Sequence, residues 1–137
     1  MFNFKEKLKI SKKYNFSFEA HSSDYQPLSS LKSLVKNNFK FLKVGPEITH
    51  EFSKTLFKME KVESKYFIKV SRLKRIILKT MNQDKNHWIK YYRGSEEKIK
   101  YLKLHSQLDR LRYYWNKRNL VNLATNLQGN DHLILVV

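Results

Sequence analysis

Two stretches, Phe16 to Ser22 and Phe39 to Val44, carry the pattern of strands, and each runs through a turn into a proline. The first turn is His21-Ser22-Ser23-Asp24-Tyr25-Gln26 before Pro27; the second is Gly45 before Pro46. Proline suits the first turn of a helix, because its missing N–H would be unpaired there and its fixed φ is already helical. The sequence therefore predicts two successive strand-to-helix units, the arrangement of parallel βαβ construction. Everything later in the chain reads as packing around that pair.

The two-residue period of a strand puts Phe16, Phe18 and Ala20 on one face of the first strand and Ser17, Glu19 and His21 on the other. In the second strand Phe41 and Lys43 share a face opposite Lys40, Leu42 and Val44. In a sheet closed into a barrel, Glu19 and His21 point to the interior and Lys43 joins them from the neighbouring strand. Such a cluster serves either acid/base work or an interior ion pair between adjacent strands, and the ion pair is the expectation.

Helical periodicity fills the remainder. Residues 1 to 15 predict a short amphipathic helix carrying Phe4, Leu8 and Ile10, with Lys12 and Lys13 at its dipole-favoured end. After Pro27 a helix places Leu28, Leu31, Leu34 and Val35 on one side and closes at Asn37 and Asn38. Gly45 permits a tight turn, and a helix of about Glu47 to Val62 buries Ile48, Phe52, Leu56 and Met59. From Lys65 the strand signals stop. Tyr66 to Met81 predicts a helix with Phe67, Val70, Leu73, Ile77 and Met81 inward and Lys69, Arg72, Arg75 and Lys79 outward. Asn82 to Asn86 is a polar break before the aromatic run His87 to Tyr92. Ser95 is placed to cap a helix with Glu96 and Glu97 in its first turn, running through Ile99 and Leu102 toward Leu108. A last helix carries Leu120, Leu123, Ala124 and Leu127 and stops near Gly129. Leu133 to Val137 is apolar and short, with no assigned role. The expected division is an α/β region, 1–64, and a helical extension, 65–137.

Composition excludes several classes of function. At 137 residues, 41% hydrophobic and 14% aromatic, the chain is globular and of single-domain size. It has no cysteine, hence no disulfide framework and no thiolate metal site. No apolar run approaches a membrane span, and the N-terminus alternates Phe with Lys and Glu, unlike a signal peptide; the expected compartment is the cytoplasm, with no membrane partner. The net charge of +16 invites a basic nucleic-acid-binding protein as an alternative. Lysine outweighs arginine, however, and the basic residues are spread through every segment with no recognisable nucleic-acid module. That describes a solvated lysine surface, and no specific nucleic acid is expected.

Four blocks carry a resemblance: Phe18-Glu19-Ala20-His21-Ser22-Ser23-Asp24-Tyr25-Gln26, Leu42-Lys43-Val44-Gly45-Pro46, Tyr91-Tyr92-Arg93-Gly94, and Ser106-Gln107-Leu108-Asp109-Arg110-Leu111-Arg112-Tyr113-Tyr114-Trp115. In this order they resemble the GatZ/KbaZ family, the non-catalytic Z subunit of class II D-tagatose-1,6-bisphosphate aldolase, from about residue 4 to residue 128. The resemblance implies an α/β fold: the C-terminal fragment of a (β/α)8 TIM barrel, its last two parallel strands with their helices, followed by a helical extension. It covers about the C-terminal third of the family chain, and a two-strand piece cannot close a barrel. The implied chain is truncated or split, with a separately encoded N-terminal barrel piece as a partner.

In phosphate-binding barrels the loops after the last two strands hold the phosphate on backbone N–H groups and helix N-termini. The resemblance makes His21, Ser22, Ser23, Asp24, Gly45 and Thr49 the candidate phosphate or substrate contacts. It sets His21 at the ligand-like position of the catalytic class II aldolases, an incomplete metal site because catalytic zinc takes three protein ligands. Zinc is expected in the catalytic Y subunit and no cofactor on this chain, which is not an enzyme on its own. Asp109, Arg110, Arg112, Tyr113, Tyr114 and Trp115 read as a packed, charge-paired helix end, with the functional alternative of a contact surface for that subunit, since arginine and aromatic residues anchor interfaces. The expected function is accessory: stabilising the Y subunit that cleaves D-tagatose 1,6-bisphosphate in tagatose 6-phosphate, galactitol and amino-sugar catabolism. An alternative is a zinc-dependent ketose-bisphosphate aldolase fragment with residual sugar-phosphate binding, resting on Glu19, His21 and Lys43.

Overall fold

A computed structural model describes residues 4–66 and 70–129. The expectations for Phe67, Lys69 and Leu133 to Val137 lie outside the described residues. The chain is mixed α/β, with a two-stranded parallel sheet and six helices among the described residues. It forms two compact units, Met1–Glu47 and Ile48–Val137.

The first unit runs α1 (Phe4–Lys13), β1 (Phe18–Ala20), α2 (Leu28–Lys36) and β2 (Phe39–Leu42). The strands are neighbours and parallel, as the sequence predicts, but shorter than Phe16 to Ser22 and Phe39 to Val44. Asn15 at φ 52° and Ser22 at φ 56° bend the chain out of extended conformation on either side of β1. Backbone hydrogen bonds from Phe18 N to Asn38 O (2.9 Å) and from Lys43 N to Ala20 O (2.9 Å) extend the pairing slightly beyond the strands.

The register contains a bulge. Phe18 pairs with Phe39 but Glu19 pairs with Phe41, so Lys40 is an extra residue in β2. The simple alternation expected for β2 fails at this point. Phe39 faces Phe18, with ring centroids 5.3 Å apart, while Lys43 falls beside Glu19. Phe4 of α1 stacks on Phe39 at 6.1 Å and reaches Phe18 at 6.2 Å. Asn37 caps α2, and Asn38, left-handed at φ 66°, donates its side-chain amide to Ser11 Oγ (3.2 Å) and Phe16 O (3.0 Å). One asparagine thus ties α1, the entry to β1 and the α2–β2 turn together.

Apolar burial in this unit is partial. α2 has no buried residue, and Leu28 and Val35 of its expected inward side are 64% and 61% exposed. Leu31 and Leu34 are half-buried. A parallel sheet is ordinarily covered on both faces, and two strands with two short helices cannot cover both. Pro27 precedes α2 as its N-cap, one position before the expected first turn, whereas Pro46 does open α3.

The second unit holds the core. Its helices are α3 (Pro46–Tyr66, begun in the first unit), α4 (Leu73–Gln83), α5 (Glu96–His105) and α6 (Arg118–Gly129), with a 3-10 turn at Arg110–Tyr113. Leu56, Phe57, Leu73, Ile77, Met81, Trp88, Tyr92, Leu111, Tyr114, Leu120, Ala124 and Leu127 are buried together. The packing boundary at Glu47–Ile48 precedes the 64/65 division drawn from strand signals, because α3 gives Leu56 and Phe57 to the helical core.

Two helix expectations change. The helix predicted from Tyr66 begins at Leu73, because Tyr66 ends α3 and Arg72 is left-handed at φ 55°. Arg72 supplies no side-chain cap; two glutamates of α3 do that work, Glu63 accepting from Ser71 N (2.8 Å) and Glu60 from Lys74 N (3.1 Å). Ile48 and Phe52, expected inside, are 62% and 38% exposed, and Phe57 is buried instead. α5 stops at His105 and leaves Leu108 exposed. Ser95 caps α5 as predicted, accepting from Lys98 N at 3.3 Å. No described helix is long and apolar enough to cross a membrane.

Candidate functional site

The loops at the carboxyl ends of β1 and β2 are fastened to each other. Buried Ser23 donates both its N–H (3.1 Å) and its hydroxyl (2.9 Å) to Lys43 O. Asp24 Oδ1 accepts from Gly45 N (2.8 Å) and Glu47 N (2.9 Å), and Glu47 Oε2 accepts from Tyr25 N (2.7 Å). Each loop thus caps the other. Asp24 sits where α3 presents its unpaired N–H groups and positive dipole end, so these hydrogen bonds are charge-assisted. The N–H donors that a phosphate would use already hold an internal carboxylate. Gly45 is not left-handed; the left-handed residues of these loops are Ser22 and Tyr25, at φ 56° and 58°, in the loop after β1. The freedom expected of this glycine is not used.

Glu19, His21 and Lys43 come together, with the bulge at Lys40 setting the register that brings Lys43 beside Glu19. Glu19 Oε1 lies 2.7 Å from His21 Nε2 and 2.5 Å from Lys43 Nζ. Its carboxyl is held below the ordinary range, chiefly by the Lys43 hydrogen bond. In this chain the side chains of His21 and Lys43 are 69% and 60% exposed. A carboxylate oxygen shared by an ammonium and an imidazole N–H is a weakened base. The donor set does not fit zinc either: the carboxylate beside His21 is engaged by an ammonium, which opposes a cation. No group of three His, Cys, Asp or Glu able to hold a metal occurs among the described residues.

Thr49 lies in the second unit, where its hydroxyl hydrogen-bonds the carboxyl of Asp109. Asp109 is 3% exposed and left-handed at φ 39°, and burial pushes its carboxyl above the ordinary range. Its Oδ2 has no hydrogen-bond partner.

The six residues expected at a contact surface divide. Asp109 and Tyr114 face the core, Tyr114 donating its hydroxyl to Asp84 O at 2.6 Å. Trp115 is half-buried, packed edge-on against Phe52 and donating to Ser53 Oγ (3.3 Å). Arg110, Arg112 and Tyr113 remain toward solvent, Arg110 lying 3.5 Å over Tyr91 and bonded to His87 O (2.8 Å). Glu47, His87 and Tyr92, whose hydroxyl accepts from Arg110 N (3.1 Å), complete these networks. Sequence does not single them out, because an acid at a helix start and an aromatic run read equally well as dipole and packing residues.

A separate open depression of about 360 Å³ in the first unit is lined by Ser11, Lys12, Phe16, Lys36, Asn38 and Lys40, among others. It contains none of the candidate site residues.

Comparison with known proteins gives a consistent picture. A family model described as D-tagatose-1,6-bisphosphate aldolase subunit GatZ/KbaZ-like matches residues 4–133. The subunit GatZ of this aldolase from Escherichia coli O1:K1 is 32% identical over 121 residues, 83% of this chain and 29% of the relative. The O157:H7 protein of the same name is 33% identical over the same shares. The crystal structure of a probable tagatose 6-phosphate kinase from Sinorhizobium meliloti 1021 is similar at a TM-score of 0.80 and 29% identity, over 92% of this chain and 33% of that one. The chain spans less than a third of the length of the curated relatives it matches. With every described residue inside the matched segment and the predicted parallel strand pair in place, the chain belongs to the GatZ/KbaZ-like family of D-tagatose-1,6-bisphosphate aldolase subunits.

Proposed function

We propose that this chain is an accessory, non-catalytic part of a class II D-tagatose-1,6-bisphosphate aldolase. It acts in the cytoplasm beside a catalytic subunit that carries the zinc, and its role is to stabilise that subunit. In this reading β1 and β2 are the last two strands of a (β/α)8 barrel, and the remaining strands come from polypeptide outside these 137 residues. The half-exposed apolar sides of the first unit are then the surfaces that the missing strands and helices cover.

The family match across residues 4–133 carries the proposal. Local chemistry supports the non-catalytic part of it: Glu19, His21 and Lys43 satisfy one another, and Asp24 fills the N-terminus of α3. What remains for His21, Ser22, Ser23, Asp24 and Gly45 is to fix two adjacent loops, with substrate phosphate held elsewhere in the assembly. The basic surface serves no specific nucleic acid in this reading.

The test uses the catalytic subunit of a D-tagatose-1,6-bisphosphate aldolase, incubated with and without this chain and the barrel region that precedes the matched segment in a relative. The chain is expected to co-purify with the subunit and lengthen the half-life of its aldol cleavage, and His21→Ala is expected to leave that effect intact. Failure to co-purify, with an unchanged half-life, overturns the proposal. Zinc-dependent cleavage by the chain alone, lost in His21→Ala, would favour an enzyme in its own right.

A further inference from the structure

The solvent side of the 3-10 turn differs from the dispersed lysine surface around it. Arg110 and Arg112 converge on one oxygen, the Tyr113 hydroxyl, which is 2.8 Å from Arg112 Nη2 and 3.4 Å from Arg110 Nη1. Among the described residues neither guanidinium forms an ion pair with a carboxylate. Both are held. Arg110 lies over the rings of Tyr91 (3.5 Å) and Tyr113 (5.0 Å) and donates Nε to His87 O (2.8 Å). Arg112 lies 4.7 Å over Tyr113 and reaches Leu108 O at 3.4 Å. Two like charges with no carboxylate at ion-pair distance, the nearby carboxyl of Asp109 being buried, present a complement to an oxyanion. Little side-chain entropy is lost when one binds.

The aromatic faces are already in use. His87 stacks on Tyr113 at 4.9 Å and 14°, and guanidiniums lie over Tyr113 and Tyr91. Base stacking, the main source of sequence-tolerant single-strand binding, therefore has little free ring surface here. What remains for a ligand is the part of each half-buried guanidinium not bonded to Tyr113, His87 O or Leu108 O. Around them Tyr91, Leu108 and Tyr113 are 53%, 54% and 39% exposed, and such a mixture of arginine, tyrosine and apolar rim is typical of an interface centre. The same guanidiniums hold the Tyr113 phenol below its ordinary range.

We infer that Arg110, Arg112 and Tyr113 form a docking site for a carboxylate side chain on an acidic, apolar-rimmed surface of the catalytic subunit. This rests on the accessory function proposed above and names the surface that would carry it.

The experiment measures binding of the full chain, with the preceding barrel region of a relative, to the catalytic subunit. Arg112→Glu is compared with wild type and with Lys100→Glu, the same charge change on an exposed α5 position. Arg112→Glu is expected to weaken binding by about tenfold or more and Lys100→Glu by less than about twofold, with unchanged melting temperatures. Equal weakening by the two variants, or none by Arg112→Glu, overturns the docking site and leaves the accessory function standing. Absence of binding by wild type overturns both. Phenylglyoxal labelling supplies a second readout. Protection of Arg110 and Arg112 by the catalytic subunit supports the site; protection by the barrel region alone, or by single-stranded RNA, overturns it.

Discussion

The two units spend their apolar residues differently. The helical unit collects leucines, isoleucine, methionine and four large aromatics into one buried cluster, with Leu73, Ile77, Met81, Tyr114 and Leu120 fully hidden from water. In the sheet unit the described residues that are buried are Ser11 and Ser23, both polar, while Leu28, Val35 and Phe41 stand more than half exposed. The first unit is held by hydrogen bonds and aromatic edges, the second by packing. The parallel strand pair leaves much apolar surface uncovered, whereas the helical unit has a core of its own.

The largest expected contrast tests that difference. Ile77→Ala should cost about 2–5 kcal/mol of stability, the range for truncating a fully buried aliphatic side chain. Leu28→Ala should stay within about 0.5 kcal/mol, as for an exposed position. Denaturant unfolding followed by near-ultraviolet circular dichroism checks both; a Leu28→Ala cost as large as that of Ile77→Ala would break the comparison.

An intermediate effect is expected within the sheet unit. Asp24→Ala should remove about 1–2 kcal/mol of local stability, the upper part of the range for losing a helix cap. The readout is hydrogen exchange at the Gly45 and Glu47 amides. These should exchange faster in the variant while amides in α4 and α6 keep their protection.

The smallest effects are in pH dependence, where an acid in each unit is shifted from its ordinary value in opposite directions. Asp109, raised by burial, keeps its proton more tightly when folded. Its contribution therefore diminishes as pH rises from 3.8 toward its raised value and is level beyond it. Asp109→Asn should flatten that slope. Glu19, lowered by Lys43, contributes above 4.5 and loses that contribution as pH falls through its lowered value. Because Glu19 is solvated, its shift is expected in carboxyl NMR titration with little change in unfolding. Equal slopes for the two groups would remove the distinction between a buried and a solvated acid.

Much of this was legible from residue order. The strand signals around Phe18 and Phe39 sufficed to place the parallel pair, but parity alone did not decide which face Lys43 shares, because the extra residue at Lys40 shifts the register. Ser95, Pro46, Asn37 and the α6 stripe likewise announced their helix ends and faces through local chemistry. The start of α4 was not legible, since its caps, Glu60 and Glu63, reside on another helix and Arg72 carries no turn signature. Nor was the fate of Leu28 and Val35: periodicity shows which side of a helix is apolar, not whether anything covers it. At the candidate site, the sequence put His21 to Asp24 and Gly45 on facing loops. That Asp24 would itself occupy the N–H groups of Gly45 and Glu47 depends on a distance that spacing does not encode.

The extra residue at Lys40 acts as a phase shifter. Ahead of it β2 shares the aromatic side of the sheet, and after it the strand shares the charged side, so a four-residue element serves two surfaces that strict alternation would assign differently. Shortening β2 by that one position would exchange the surfaces from Phe41 onward and carry Lys43 away from Glu19. Where the count of residues governs which chemistry meets which, length is as constrained as identity.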